Sequence, residues 1–453
     1  MIALILKNIL RSPALKTGVL LLLGTGILSL GIGFQFQHRL KINVMEAARY
    51  QKESLNLLST TFRDDLGYML YYAKFSLVNE MEALSGLVIG QRDINPSLKS
   101  FTIRGLEAQK YDAELKNPVN ALLGNLDYTF VLIYLFPLLI IALCYNIITE
   151  EKEHGTWSII AVQEKRPFAY LGRQYGLRYI MVMIVNLLLL LVATLLFKLS
   201  LNIRLLNLVW ISSLYILVWF SICFWVTSMN KSSSQHAILL LCIWLGLLIL
   251  IPTAINNYIS HAYPIPEAFE TTLVQRKGYH EKWDSPKELT MEKFYAHYPQ
   301  FKEFKISGDE FSWLLYYAMQ QVGDDEALAT SQKFKEKLHA RNEVSRLLTQ
   351  FIPSVYTQLE LESIAGTGLD NQLEFFNHCN QFHEKLRLYF YAKIFSNVPS
   401  TEIEWDKFTL EHFKGKNISA SGVPMGLPLM FIIIFFSFLA YRNIQSKPLF
   451  KKT

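Results

Sequence analysis

One group of residues has the types that bind soft metals. His378, Cys379 and His383 occur within a single short stretch, and imidazole and thiolate are ligands that zinc and copper accept. Cys379 and His383 are four residues apart, so a helix would place them on one face. His378 and His383 would lie about 140° apart on that helix, and no carboxylate is placed as a further ligand. We therefore expect packed or surface residues here, with no metal.

A second candidate is the charged run that directly follows an apolar segment. Acidic residues in a first helical turn favour a helix start, and Gly155 allows the helix to end. Trp157, Ile159 and Ile160 then form an apolar patch, so we expect a short element that a cytoplasmic partner could hold. The simpler alternative is a solvated helix end beside a membrane. The candidate contact residues are Glu150, Glu151, Glu153, His154, Gly155, Thr156 and Trp157.

Motifs for catalysis are missing from the chain. It contains no G-x-x-x-x-G-K-[ST] phosphate loop, no H-E-x-x-H zinc motif and no G-x-S-x-G nucleophile motif. The run Gly366-Thr367-Gly368 is too short to be a phosphate loop. We therefore expect neither catalytic residues nor a cofactor, so that any ATP would be bound by a different polypeptide.

Six apolar segments must position these residues. Each is about 20 residues long, the length that crosses a bilayer, and their cores contain no Asp, Glu, Lys or Arg. That absence argues against ion-coupled transport, which usually employs ionisable groups inside the membrane. We predict an all-α membrane protein with spans at residues 14–36, 128–149, 178–197, 208–227, 236–255 and 423–441.

Basic residues beside the spans predict the orientation. The net charge is +6, and Lys7, Arg11, Lys152, Arg173 and Arg442 all flank ends that fall on one side if the spans alternate. Cytoplasmic loops carry this excess of Lys and Arg, so we expect both termini in the cytoplasm and the chain in the inner membrane. Because the basic residues follow the spans, we expect no nucleic-acid partner.

The remaining segments lie between and beside the spans. Residues 1–13 have apolar positions at helical spacing and predict an interfacial amphipathic helix, with an extension of the first span as the alternative. Residues 37–127 and 256–422 are predicted as two mainly helical extracytoplasmic inserts, and the second is long enough to bury a core. Residues 150–177 form the predicted cytoplasmic loop and 442–453 the cytoplasmic tail.

Several short motifs occur in a characteristic order. Phe-Pro-Leu-Leu at 136–139 lies inside the second span, Glu-x-Glu-x-Gly-Thr at 151–156 follows it, and Leu-Gly-Arg occupies 171–173. The chain thereby resembles the permease subunits of ABC-2 type transporters, in which the third motif is often Leu-Gly-Lys. Three further stretches are similar to the subgroup with a large extracytoplasmic domain before the last span: 352–354, 364–368 and 374–376.

The resemblance implies a protein that is driven by a partner. Permeases of this class pair as homodimers or with a related subunit, and each binds a separate ABC ATPase that holds ATP and Mg. The resemblance also implies that the element near Glu150–Ile160 is the coupling helix, which fits a groove of that ATPase.

Three functions fit these observations. The first is the permease subunit of an ATP-driven exporter. In the second, the same complex transmits force to a periplasmic or lipid-anchored partner through residues 256–422, without moving a solute. The third is a membrane-anchored binding or sensory protein that has no ATPase.

Overall fold

The computed structural model describes residues 2–110, 125–157, 167–306, 311–415 and 425–446. Within these ranges the structure is 78% helical, and six of the described helices are long and apolar enough to cross a membrane. The prediction of an all-α membrane protein with six spans is therefore confirmed. Residues between the spans form one globular domain. We call the span ends that join this domain the domain end, and the opposite ends the polar end.

The helices are α1 (Ile2–Arg11), α2 (Pro13–Thr61), α3 (Leu66–Tyr72), α4 (Leu106–Lys110), α5 (Tyr128–Glu153), α6 (Pro167–Phe197), α7 (Ile203–Thr227), α8 (Ser233–Ala262), α9 (Glu267–Glu281), α10 (Lys287–His297), α11 (Trp313–Thr349), α12 (Pro353–Ala365), α13 (Leu369–Phe395) and α14 (Leu427–Ser446). The strands are β1 (Phe75–Asn79), β2 (Leu98–Phe101) and β3 (Glu411–Phe413). The spanning helices are α2, α5, α6, α7, α8 and α14. The predicted positions 423, 424 and 447–453 lie outside the described residues.

The first spanning helix continues far beyond the membrane. α2 has 49 residues, which is about 74 Å of helix and more than twice the thickness of a hydrocarbon core. Near its middle, Gly33 packs so closely on Gly86 that an added Cβ would overlap a backbone carbonyl. Farther along, Gln51 is buried in the globular domain, where its amide bonds to the backbone of Ser76 and Phe408 at 2.7 and 2.9 Å. One helix thus belongs to both parts of the protein.

A small sheet joins the two segments predicted as separate inserts. β1 pairs antiparallel with β2, with Phe75 opposite Phe101, and parallel with β3, with Leu77 opposite Glu411. The sequence analysis indicated no strands. All five residues of β1 are buried, including the polar residues Ser76 and Asn79, so the strand has no solvent-facing side to give it a sustained alternation of apolar and polar residues. Residues of 37–110 and 256–415 therefore form a single body.

A proline in α5 leaves a backbone carbonyl without its helical partner. Pro137 has no N–H group, and the turn before it, Val131–Leu135, is π-helical. The carbonyl oxygen of Ile133, four residues before the proline, accepts a hydrogen bond of 2.8 Å from the Tyr215 hydroxyl of α7. Lipid offers no hydrogen-bond donor, so the Tyr215 hydroxyl supplies the bond that this carbonyl would otherwise lack.

A related arrangement occurs in α8, with a donor from the globular domain. The π-helical turn Gly246–Leu250 precedes Pro252, and Leu247 lies five residues before that proline, so its π-helical partner would be the N–H group that Pro252 lacks. The carbonyl oxygen of Leu247 accepts a hydrogen bond of 2.7 Å from the Ser354 hydroxyl of α12. A residue outside the spans therefore completes the hydrogen bonding of a spanning helix.

Replacing Tyr215 with Phe is expected to lower the free energy of unfolding by about 0.6 kcal/mol, the average for side-chain hydrogen bonds between membrane helices, and by no more than about 1.7 kcal/mol. The change removes the donor to Ile133 and keeps the ring. Tyr134→Phe is the control, because the Tyr134 hydroxyl has no hydrogen bond to any described residue. Unfolding of the purified protein in detergent measures both. Equal stability of the two variants would contradict the role given to Tyr215.

Candidate coupling site

The polar end of α5 closes with a short separate helix. Helical hydrogen bonding is interrupted after Cys144 and resumes at Thr149–Glu153. The N–H group of His154 then bonds to the Glu150 carbonyl at 2.9 Å. Gly155 has a φ of +72°, the left-handed conformation that ends many helices. The structure thus has both the short helix and the break that the charged run indicated.

Side chains attach this short helix to residues 228–233, which are the turn between α7 and α8 together with the first residue of α8 and which we call the α7–α8 turn. The Ser233 hydroxyl donates to the Glu153 carboxylate at 2.9 Å and lies 2.5 Å from the Thr149 hydroxyl. The Lys152 ammonium donates to the side-chain oxygen of Asn230. Three residues of the helix are therefore bonded to one turn, and a displacement of either element is passed to the other.

The outward surface of the same segment faces solvent. Its exposed residues are Glu150, Glu153, His154, Gly155 and Thr156. Glu151 is half-buried and accepts a hydrogen bond from the Thr156 hydroxyl. Trp157 is also half-buried, with the Lys152 ammonium 5.5 Å from its ring centre. Every predicted contact residue is described, whereas the predicted apolar positions Ile159 and Ile160 lie outside the described residues.

On its other side the segment faces a cavity of about 430 Å³, which is lined by α1, α5 and α6. Arg178 of α6 lines this cavity and donates a hydrogen bond of 2.9 Å to the carbonyl oxygen of Leu143. In a regular helix that oxygen would accept a bond from the Ile147 N–H, which bonds instead to the carbonyl oxygen of Cys144. An arginine thus stabilises the interruption in α5. The short helix is fixed on one side by the α7–α8 turn and has open space on the other.

At the domain end, α12 extends from the globular domain into the core of the spanning helices. Leu361 and Ile364 belong to the same buried cluster as the spans. The hydroxyl oxygen of Tyr356 accepts a hydrogen bond of 3.1 Å from the N–H of Gly426, just before α14. Together with the bond from Ser354 to α8, these contacts make α12 the main connection between the domain and the bundle.

Two buried carboxyl groups lie where α12 meets the start of α5. Asp127 caps α5 by accepting bonds of 2.9 Å from the N–H groups of Phe130 and Ile89, yet burial raises its pKa to about 6. Burial raises the pKa of Glu362 in α12 to about 7, against the effect of a hydrogen bond from Gln358. The negative charge of Asp127 raises the pKa of Glu362 further. Protonation of Glu362 therefore favours this packing.

The three candidate metal ligands are engaged separately. In the part of the chain that the structure describes, no three His, Cys, Asp or Glu side chains are grouped so that they could hold a metal ion. His383 contacts the carbonyl oxygen of Thr102 at 2.9 Å, and burial lowers its pKa well below the usual value, so the ring is neutral. Cys379 is buried, and His378 lies 3.6 Å from the Glu411 carboxylate.

The sequence analysis missed a buried polar chain that links three spans. The Tyr128 hydroxyl of α5 donates to the Asn186 side chain of α6 at 2.7 Å, and Asn186 donates to the Ser212 hydroxyl of α7 at 3.1 Å. Asn186 is fully buried. Ionisable residues were the expected sign of a polar site inside the spans, and asparagine is not ionisable. Asn186 could have been recognised as a lone polar residue within a long apolar run.

Comparison with known proteins gives one match. A family model described as a domain of unknown function (DUF3526) matches residues 269–413, from α9 to the last residue of β3. The match therefore covers most of the second segment of the globular domain. No curated protein and no solved structure matches the chain.

Replacing Ser233 with Ala is expected to loosen the short helix, because it removes the hydroxyl that contacts both Thr149 and Glu153. Losing about 1 kcal/mol of hydrogen bonding should speed local opening about fivefold. Hydrogen exchange of the amides in 150–154 measures this. Ser234→Ala is the control, because the Ser234 side chain is exposed and has no hydrogen bond to any described residue. Unchanged exchange in the Ser233 variant would show that the attachment is weak.

Replacing Glu362 with Gln is expected to reduce the pH dependence of stability. Glu362 keeps its proton in the folded protein up to about pH 7, whereas an unfolded chain loses it from about pH 4.5. Wild-type stability should therefore fall as the pH rises between these values. At pH 8 the variant should be more stable by up to about 3 kcal/mol.

Thermal unfolding in detergent at pH 5 and pH 8 measures this difference. Glu404→Gln is the control, because 72% of the Glu404 side chain is exposed. A Glu362→Gln variant with the same pH dependence as the wild type would contradict the assignment of a raised pKa.

Proposed function

We propose that this chain is the permease subunit of an ABC-2 type exporter, in which a separate subunit hydrolyses ATP and this chain couples the hydrolysis to transport. The observation that carries the proposal is the segment 149–157. A surface that receives force needs an accessible face and a firm attachment to the spans. This segment has five exposed residues and three side-chain bonds or contacts to the α7–α8 turn. The order of the sequence motifs supports the same assignment.

In this proposal the ATPase docks at the polar end. That end is then cytoplasmic, the globular domain is extracytoplasmic, and the chain lies in the inner membrane with both termini inside. ATP and Mg bind to the ATPase, and this chain contributes no catalytic residue. A second permease subunit, identical or related, pairs with it. α8 has the smallest buried share of the six spans, 11%, so its surface can contact lipid or that second subunit.

Force would pass through the contacts already described. Closure of the ATPase displaces residues 150–157, and their bonds carry the displacement to the α7–α8 turn. α7 and α8 both contact α12, which carries the globular domain. The motion is a rigid-body shift of packed helices, and its driving force is the difference in ATP affinity between two states.

The length of α2 favours a second candidate, in which the chain transmits force without moving a solute. α2 is continuous over 49 residues, from the polar end to Thr61 inside the globular domain. A continuous helix is suited to carry motion to a periplasmic or lipid-anchored partner. Reconstitution in liposomes separates the two candidates, since only the exporter gives ATP-dependent movement of lipid or solute.

Reversing the charge of Glu150 and Glu151 to Lys tests the proposed docking. The exporter proposal predicts co-purification of an ATPase subunit with the wild-type chain. It predicts about a tenfold or greater loss of stimulated ATP hydrolysis in the variant, because like charges at an interface cost several kcal/mol. Hydrolysis by the reconstituted complex is the measurement.

Glu46→Lys is the matched control, since Glu46 is an exposed acidic residue of α2 outside the predicted spans. It should leave the hydrolysis rate unchanged. Full stimulated activity of the Glu150/Glu151 variant in an intact complex would refute docking at this segment. Absence of any ATPase partner would favour the binding or sensory protein.

A further inference from the structure

A groove lies beside α2 where that helix leaves the spanning bundle. Its volume is about 660 Å³, inside the range of about 300–1,000 Å³ that is usual for ligand sites. Val44 and Met45 of α2 line one wall, and Val78 of β1 and Met81, two residues after that strand, line the other. The walls thus come from the shared helix and from β1 with the residues that follow it, and these four side chains are apolar.

The groove continues the lipid-facing surface of α2. Leu20, Ile27 and Phe34 are spaced seven residues apart, so they lie on one face of the helix, and they are 73%, 57% and 46% exposed. The next residue at this spacing is Lys41, which lines the groove. Between them, the ring of Phe34 stacks on His38, with ring centres 6.3 Å apart. An apolar chain can therefore extend from the bilayer into the groove along a single face.

The groove contains an exposed positive charge, that of Lys41. Lys41 is exposed and forms no ion pair with any residue in the described ranges. The carboxylate of Glu80, which also lines the groove, lies 3.1 Å from Nδ1 of His412 and forms no ion pair with Lys41. An exposed ammonium beside an apolar wall, at the level where a span leaves the membrane, matches an amphiphile with a negatively charged head group.

We propose that this groove binds an anionic phospholipid from the adjacent leaflet, with its head group at Lys41 and an acyl chain against Val44, Met45 and Val78. A bound lipid at this place would let the globular domain contact a molecule partly raised from the bilayer. Lipid binding does not depend on the exporter function. Only the use of this site for a transported lipid rests on that proposal.

The test uses the full chain in phosphatidylethanolamine vesicles that contain phosphatidylglycerol with a photoreactive acyl chain. Mass spectrometry maps the cross-links, with the probe in phosphatidylcholine as the neutral comparison. No ATPase and no nucleotide are present, so failure of the ATP-driven function cannot affect the outcome. We expect phosphatidylglycerol to label peptides that contain Val44, Met45 or Val78 more strongly than phosphatidylcholine does.

Lys41→Gln should lower this labelling about fivefold, since one basic residue near an anionic surface contributes about 1 kcal/mol. Arg39→Gln is the matched control, because Arg39 lies two residues away on α2 and does not line the groove. Labelling of the Leu20 and Ile27 region by phosphatidylcholine reports that each variant is inserted in the bilayer. Met45→Glu provides a second disruption of the apolar wall and should also lower labelling.

Three outcomes would overturn the proposal. Labelling confined to the Leu20–Phe34 surface would show that lipid stops below the groove. Equal losses in the Lys41 and Arg39 variants would show a general surface attraction. Cross-links from the groove to a second copy of the chain, in place of lipid, would show that this surface is a protein interface.

Discussion

The structure depends on satisfying backbone carbonyls where no water is present. Prolines in α5 and α8 remove hydrogen-bond donors inside the bilayer, and lipid cannot replace them. The replacements come from other elements: Tyr215 of α7 bonds to Ile133, and Ser354 of α12 bonds to Leu247. These bonds hold helices in fixed positions that apolar contacts alone would specify poorly, since lipid is as apolar as the helix surfaces.

This requirement links the two ends of the protein. At the polar end, Arg178 supports the interruption in α5 from which the exposed segment 149–157 extends. At the domain end, the Ser354 hydroxyl of α12 bonds to a backbone carbonyl of α8, and α12 packs among the spans. Buried Glu362 lies at the same junction. α2 runs through both parts. The proposed functions, export and transmission of force, both use this continuity between a docking surface and a distant domain.

The spans could be predicted from the sequence because bilayer thickness sets their length and composition. The end of the short helix at Gly155 could also be predicted, because glycine readily adopts the left-handed conformation that ends a helix. The partners of the prolines were not predictable: Pro137 is visible in the sequence, but nothing near it specifies Tyr215, 78 residues later. β1 was missed because it is buried on both faces. The groove at Lys41 was missed because about half of its lining comes from residues that are distant from α2 in the sequence.

We propose that the exposed segment 149–157 and α12 move as one unit when an ATPase subunit acts on that segment. Spin labels at His154 and at Gln358, both exposed, would measure the distance across one chain in the assembled complex. If the two elements move together, the intrachain distance is the same with and without ATP, while the distance between the two His154 labels of paired subunits changes. An intrachain distance that changes with ATP, at constant spacing between subunits, would contradict it.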